Sequence, residues 1–288
     1  MREQEKAYPV KLLCDVMNVS RSGYYKYRAS PLMKKPENTR LLVEARALSQ
    51  ESDNSYGSRR ISKGLRARGY PTGRYAARTL MRKAGIICKQ RKRYRVTTTQ
   101  SNHGFAVADN VLNRDFTVSQ PNQVWVTDIT YLWTLEGWLY VAGVLDLFSR
   151  RIVGWAVAAH MREELVQEAL QMALWRRNPE DGLLHHSDRG VQYAANQYQS
   201  MLKASGITVS MSRKGNCLDN SVMERFWGSL KSERTDGKIY VTREAAKIDV
   251  IEYIEMFYNC KRLHSSLDYV SPMQFENEFF LSNVSTFT

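Results

Sequence analysis

Val124-Trp125-Val126-Thr127-Asp128-Ile129-Thr130-Tyr131-Leu132-Trp133 is the stretch on which the reading of the fold turns. Its β-branched and aromatic side chains suit a pleated, half-buried surface, so it predicts a strand. One residue sits badly in that strand. A carboxylate at Asp128, flanked by Val126, Ile129 and Tyr131, is expensive to desolvate unless it is paired or bound to a metal ion.

Toward the C-terminus, Trp138 to Phe148 and Arg151 to Ala159 follow at hairpin distances, giving consecutive strands. Glu163 to Arg177 carries Leu165, Ala169, Leu170, Ala173 and Leu174 at helical spacing. A short strand is expected at Gly182 to His186, a helix at Ala195 to Ala204, a strand at Ile207 to Met211 and a helix at Asn220 to Glu233. The order βββαβαβα is that of an RNase H-like α/β domain, a mixed five-stranded sheet with helices on both faces. This domain is expected over residues 122–240, with a helical extension at 241–288.

The whole chain of 288 residues has room for roughly two domains. With 43% hydrophobic and 25% charged residues, wholesale disorder is excluded. The longest apolar run, Trp138 to Leu145, stops at Asp146, well short of the ~18 residues of a membrane span, and the N-terminus has no signal-peptide core. A soluble, cytoplasmic protein is expected. Cys14, Cys88, Cys217 and Cys260 form no C-x-x-C pair and have no histidine at zinc-finger spacing, so they are expected to be reduced thiols in packing roles.

Charge divides the chain. Residues 1–100 carry net +17 and residues 101–288 net −4. Such a basic excess attracts polyanions, since each phosphate neutralised releases a condensed counterion. Within it, Lys11 to Met17 and Arg21 to Arg28, joined by Asn18-Val19-Ser20, have the rhythm of a helix-turn-helix, with Leu12, Leu13, Val16 and Met17 inward. This segment is taken as residues 1–35. Residues 36–100 repeat the theme with helices near Thr39 to Glu51, Ser58 to Arg68 and Thr72 to Lys83. In the last, Ala76, Leu80 and Met81 are expected to face a core while Arg74, Arg78 and Arg82, four apart, line the opposite stripe as DNA contacts. Lys89, Arg91, Lys92, Arg93 and Arg95 follow as a basic arm that could track a DNA backbone or remain a solvated linker. Residues 101–121 are the expected interdomain linker.

Two further acids fall where the α/β layout would bring them to Asp128. Asp188 lies just past the fourth strand and Glu224 in the first turn of the last helix. Two strands with a carboxylate each and a helix laid across them supply oxygen ligands for two Mg²⁺ ions about 3.5–4 Å apart, the arrangement that drives in-line displacement at phosphorus. Each also has a plainer reading. Glu224 follows Ser221 at capping-box spacing, worth about 1 kcal/mol to a helix start, and Asp188-Arg189-Gly190 has the look of a turn. Asp146 and Asp219, the nearest competitors, are read as turn and capping residues.

Trp125-Val126-Thr127-Asp128-Ile129-Thr130, His186-Ser187-Asp188-Arg189-Gly190 and Asp219-Asn220-Ser221-Val222-Met223-Glu224-Arg225-Phe226 resemble the signature blocks of DDE transposases with a retroviral-integrase-like catalytic core. The 35 residues between Asp188 and Glu224 match that family's D,D(35)E spacing. Asp146-Leu147-Phe148-Ser149-Arg150-Arg151, Tyr56-Gly57-Ser58-Arg59-Arg60 and Tyr258-Asn259-Cys260-Lys261-Arg262-Leu263-His264-Ser265-Ser266-Leu267 are similar to the second-frame (orfB) products of bacterial insertion sequences. The resemblance covers roughly residues 40 to 278.

It implies a metal-dependent enzyme in which Asp128, Asp188 and Glu224 hold Mg²⁺, with Mn²⁺ able to substitute. Such an enzyme nicks terminal inverted repeats and joins a freed 3′ hydroxyl to another DNA strand. Lys231, seven residues after Glu224 and so on the same helical face, would steady a DNA phosphate, with Arg189 and Arg225 as weaker candidates and His186 orienting the site or packing. Implied partners are double-stranded DNA, further copies of the chain, and an upstream-frame (orfA) product or fusion. The His/Cys zinc module of retroviral integrases has no counterpart here. A second reading, a non-catalytic regulator that binds element ends, stays open at this point; against it stands the acid triad itself.

Overall fold

The computed structural model describes residues 4, 7–29, 36–89, 104–214 and 216–284. Arg91, Lys92 and Arg93 lie outside the described residues. Helices come first: α1 (Val10–Val16), α2 (Arg21–Ala29), α3 (Pro36–Glu51), α4 (Ser58–Ala67) and α5 (Arg74–Ala84). Cys14 and Tyr24 are buried in the α1–α2 segment, but Leu12, Val16 and Met17, expected inward, are exposed. Leu12 and Val16 stand two residues either side of Cys14, a spacing that turns them off its face.

Ala45, Leu48, Ile61, Leu65, Ala77, Leu80 and Met81 make the buried core of α3, α4 and α5. The alanine of α5 in that core is Ala77, and Ala76 is exposed. The reason is spacing: Leu80 and Met81 stand at i+3 and i+4 from Ala77, the centre of the face, whereas Ala76 shares such spacing with Leu80 alone and lies to one side. Gly85 ends α5 in the left-handed conformation, with its N–H bonded to the carbonyls of Arg82 and Met81.

The second half is one five-stranded sheet: β1 (Val124–Thr134), β2 (Gly137–Asp146), β3 (Ile152–Ala158), β4 (Leu184–Ser187) and β5 (Thr208–Met211), ordered β3-β2-β1-β4-β5. β1–β2 and β2–β3 pair antiparallel, β1–β4 and β4–β5 parallel. This is the mixed sheet that the sequence predicts. Between the strands run α6 (Glu163–Arg177), α7 (Val191–Ala194) and α8 (Asn196–Ala204), and after β5 come α9 (Ser221–Leu230), a π-helical turn (Lys231–Thr235), α10 (Arg243–Glu252), a second π-helical stretch (Tyr253–Tyr258) and α11 (Pro272–Val284).

Alternation along the strands divides the core. Trp125, Ala142 and Val144 pack with Leu165, Ala169, Leu170, Tyr198 and Leu202 on the α6–α8 face. Val126, Leu132, Val141 and Leu145 pack with Met223, Phe226, Trp227 and Leu230 of α9, and Val250, Tyr253, Ile254 and Tyr258 join the same cluster. α6 lies so close on β3 that a Cβ at Gly154 would overlap the Ala169 carbonyl and press on Ala173. Among the described residues, no helix is long and apolar enough to cross a membrane.

Candidate active site

β1 carries Asp128 opposite Gly143 of β2. The glycine matters on this face, because a Cβ there would stand 3.0 Å from the Trp227 ring. On the other side of β1, the parallel pairing with β4 ends with Val126 opposite His186. Two residues further along both strands, in the same register, are Asp128 and Asp188; a parallel ladder brings such positions level and on one face. β4 is four residues long, so the sheet opens on this side at Asp188. α9 then crosses with Glu224, an exposed residue, in its first turn.

Asp128 senses both of the other carboxylates. Burial pushes the Asp128 carboxyl well above the usual carboxylate range, and the negative charges of Asp188 and Glu224 push it further, against the backbone N–H of Ile129. That N–H donates to Asp128 Oδ1 at 2.9 Å. Asp188 Oδ1 accepts the N–H of Gly190 at 2.9 Å, as its turn reading requires. Among the described residues no three His, Cys, Asp or Glu side chains close into a ready-made metal cage. Mg²⁺ does not demand one, since it keeps several waters and is held by one or two carboxylates plus substrate phosphates. Hard oxygen donors whose repulsion a cation would relieve are the chemistry such an ion fits.

The plainer readings of two acids change. The N-cap of α9 is Asn220, and no side chain caps it, so Ser221 and Glu224 do not form a capping box. Asp219 does not cap the helix either. Its fully buried carboxylate accepts hydrogen bonds from Arg213 (Nε 3.0 Å, Nη2 3.0 Å), Arg114 (2.7 Å) and Asn110 (2.9 Å), and these hold its carboxyl far below the usual range, the Arg213 hydrogen bond foremost. Asp146 closes β2 as a turn residue, accepting the N–H groups of Asn122 (2.8 Å) and Phe148 (2.9 Å).

Lys231 opens the π-helical turn, with Nζ 4.8 Å from the centre of the Tyr131 ring. Burial lowers its pKa, while the charges of Asp236 and Asp128 raise it. His186 is a packing residue. Its ring lies 2.8 Å from Ser210 Oγ and 3.0 Å from Ser212 Oγ, and burial lowers its pKa to about 4, so it is neutral at pH 7. Arg189 Nε donates to the Ser212 carbonyl at 2.6 Å. Arg74, Arg78 and Arg82 are exposed along α5, far along the chain from the carboxylates.

Sequence reasoning missed three neighbours of Asp128. The buried indole N–H of Trp227 faces it without a full hydrogen bond. Asn220 donates to the Thr127 carbonyl at 2.9 Å, tying the start of α9 to β1. Tyr193 lies 3.3 Å from Thr127 Oγ1, and burial with the charges of Asp128 and Asp188 raises its hydroxyl. The signal for Trp227 was present, since it stands three residues after Glu224 on the same helix.

Residues 118–217 and 224–280 match models described as integrase core domain, and residues 36–94 a model described as HTH-like domain. An IS600 insertion-element 31 kDa protein of Shigella sonnei is 43% identical over 268 residues, covering 93% of this chain and 98% of that protein. The transposase InsF of insertion sequence IS3A from Escherichia coli K12 is 38% identical over 283 residues, covering 96% and 97%. Among solved structures, the HTLV-2 integrase catalytic core domain in complex with magnesium aligns at 14% identity with a TM-score of 0.42, over 55% of this chain and 97% of that one. With the two insertion-element relatives matching nearly end to end, the chain belongs to the IS3 family of insertion-sequence transposases, DDE polynucleotidyl transferases with an integrase core domain and an HTH-like region.

Proposed function

We propose that the chain cuts DNA at the terminal inverted repeats of its insertion sequence and joins the freed 3′ ends to a second DNA, with Asp128, Asp188 and Glu224 as its catalytic carboxylates. The observation that carries this reading is the parallel register that brings Asp128 and Asp188 level at the open end of the β1–β4 pairing, with the charges of Asp188 and Glu224 both bearing on the buried Asp128 carboxyl. A pair of Mg²⁺ ions, replaceable by Mn²⁺, would supply Lewis-acid activation of the attacking and leaving oxygens of an in-line displacement. Asp128 and Asp188 would hold them from the sheet and Glu224 from the helix. Lys231 would hold a DNA phosphate beside Asp128 and keep the scissile bond in line.

Arg74, Arg78 and Arg82, with Arg91, Lys92 and Arg93, would neutralise DNA phosphates and align the element end. On this reading residues 1–35 and 36–100 read DNA, 101–121 link, and 122–240 cut, with 241–288 packed behind. The enzyme would work as a homo-oligomer on paired ends in the bacterial cytoplasm, alone or with an upstream-frame product.

Labelled element-end DNA tests this with wild type and Glu224→Gln side by side. Mg²⁺- or Mn²⁺-dependent nicking by wild type alone, with DNA binding shared, is expected. Equal nicking by both proteins would overturn the triad. Binding by both with nicking by neither, also after fusion to the upstream frame, would leave the non-catalytic regulator in its place.

A further inference from the structure

The π-helical turn that follows α9 buries a carboxylate that the proposed chemistry does not use. Glu233 accepts Arg262 Nε at 2.7 Å and Nη2 at 2.6 Å, the Tyr253 hydroxyl at 2.8 Å, and Arg60 Nη1 at 3.4 Å. Burial alone would raise its carboxyl, but the Arg262 hydrogen bonds and charge, with Arg60, bring it below the usual range. Arg60 belongs to α4 of the HTH-like domain, whose Lys89 donates to the Glu233 carbonyl at 3.1 Å and pairs with Asp53 at 2.7 Å. Two cations of a strongly basic domain, the half-buried Arg60 and the surface Lys89, thus engage one residue.

The contact continues on both sides. Arg262 Nη2 reaches Ser229 Oγ of α9 at 3.2 Å. Tyr56, buried under Arg60, accepts the N–H of Leu263 at 2.7 Å, and Phe257 and Leu263 pack on the core of α3–α5. Arg60, Lys89, Tyr253 and Arg262 thus converge on Glu233, in the turn that begins with Lys231 and follows directly on the helix bearing Glu224.

We propose that Glu233 is a positioning residue that locks the HTH-like domain in register with the catalytic helix, so that the phosphodiester to be cut is set by rigid distance from the DNA that the HTH-like domain holds. The proposal rests on the functional reading above. A buried ion pair gives little net stability over an apolar substitute but one geometry, and a displacement of about 1 Å at a reacting centre costs on the order of a hundredfold in rate. Arg60 and Tyr56 are the partners by which the lock is released without touching the carboxylates or Lys231.

The test uses the full chain as wild type, Arg60→Met, Arg60→Lys, Tyr56→Phe and Glu224→Gln on end-labelled element-end DNA. Binding, cutting rate and cut position at nucleotide resolution are measured, with amide hydrogen exchange of residues 231–235 with and without DNA. Arg60→Met is expected to bind within about threefold of wild type, because Arg60 faces protein. Its cutting slows on the order of tenfold and spreads to neighbouring phosphodiesters, and Arg60→Lys returns the cut to one position. Exchange at 231–235 is expected to slow on DNA binding in wild type and not in Arg60→Met or Tyr56→Phe. Cutting at the single wild-type position and rate by both Arg60→Met and Tyr56→Phe would overturn the proposal, as would DNA-induced protection that is the same in all proteins. If wild type binds and does not cut, the functional reading fails separately, and the exchange comparison, which needs no turnover, still decides the lock.

Discussion

Asp219 shows how much rests on single residues around the site. Its buried carboxylate gathers Arg213, Arg114 and Asn110 and pins the segment that leads into α9. Because the arginines, Arg213 first, hold its folded pKa below the ordinary aspartate value, the stability it contributes is present above that value, about 3.9, and is lost as pH falls through the folded pKa. Asp219→Asn should therefore cost about 2 kcal/mol at pH 7, and the gap to wild type should narrow below about pH 4 in denaturant unfolding. A gap that stays constant with pH would contradict the ion-pair account. The place of Asp128 on β1 was legible in the sequence, because a carboxylate in a strand as apolar as Val124–Trp133 demands a reason. The role of Asp219 was not, because a residue next to a helix start looks like a cap until its arginine partners, over a hundred residues away for Arg114, are seen.

At the scale of elements, the helix Glu163–Arg177 and each strand stand within a few residues of where periodicity puts them. Local pattern suffices where one face is buried. It does not encode α7, which is a single turn, nor the π-helical turn at Lys231–Thr235, where the predicted helix to Glu233 changes its winding. The wider turn is held by contacts to Arg60, Tyr253 and Arg262, from other elements, so no local signal marks it. Packing of α6 on β3 gives a sharp prediction. Gly154→Ala should destabilise by about 3 kcal/mol, read as a lower denaturant midpoint at unchanged slope, since the new methyl meets backbone that cannot turn aside. A neutral effect would show that α6 slides freely on the sheet.

For the whole molecule, the charge division between residues 1–100 and the remainder was legible as arithmetic, but the docking of the two halves was not. Lys89 is the example: counted with a free basic arm, it is engaged with Asp53 and Glu233. Arg74, Arg78 and Arg82 remain exposed, so their joint replacement by alanine should reduce the slope of log affinity against log salt by about three, in titrations of element-end DNA. An unchanged slope would remove them from the DNA interface. Asp128, Asp188 and Glu224, far apart in sequence, should form a single metal centre. Anomalous diffraction from crystals soaked in Mn²⁺ tests it most directly. A peak is expected at about 2.0–2.3 Å from carboxylate oxygens of both Asp128 and Asp188, lost in Asp128→Asn crystals; Mn²⁺ bound only elsewhere, or undisturbed in Asp128→Asn, would rule the shared centre out.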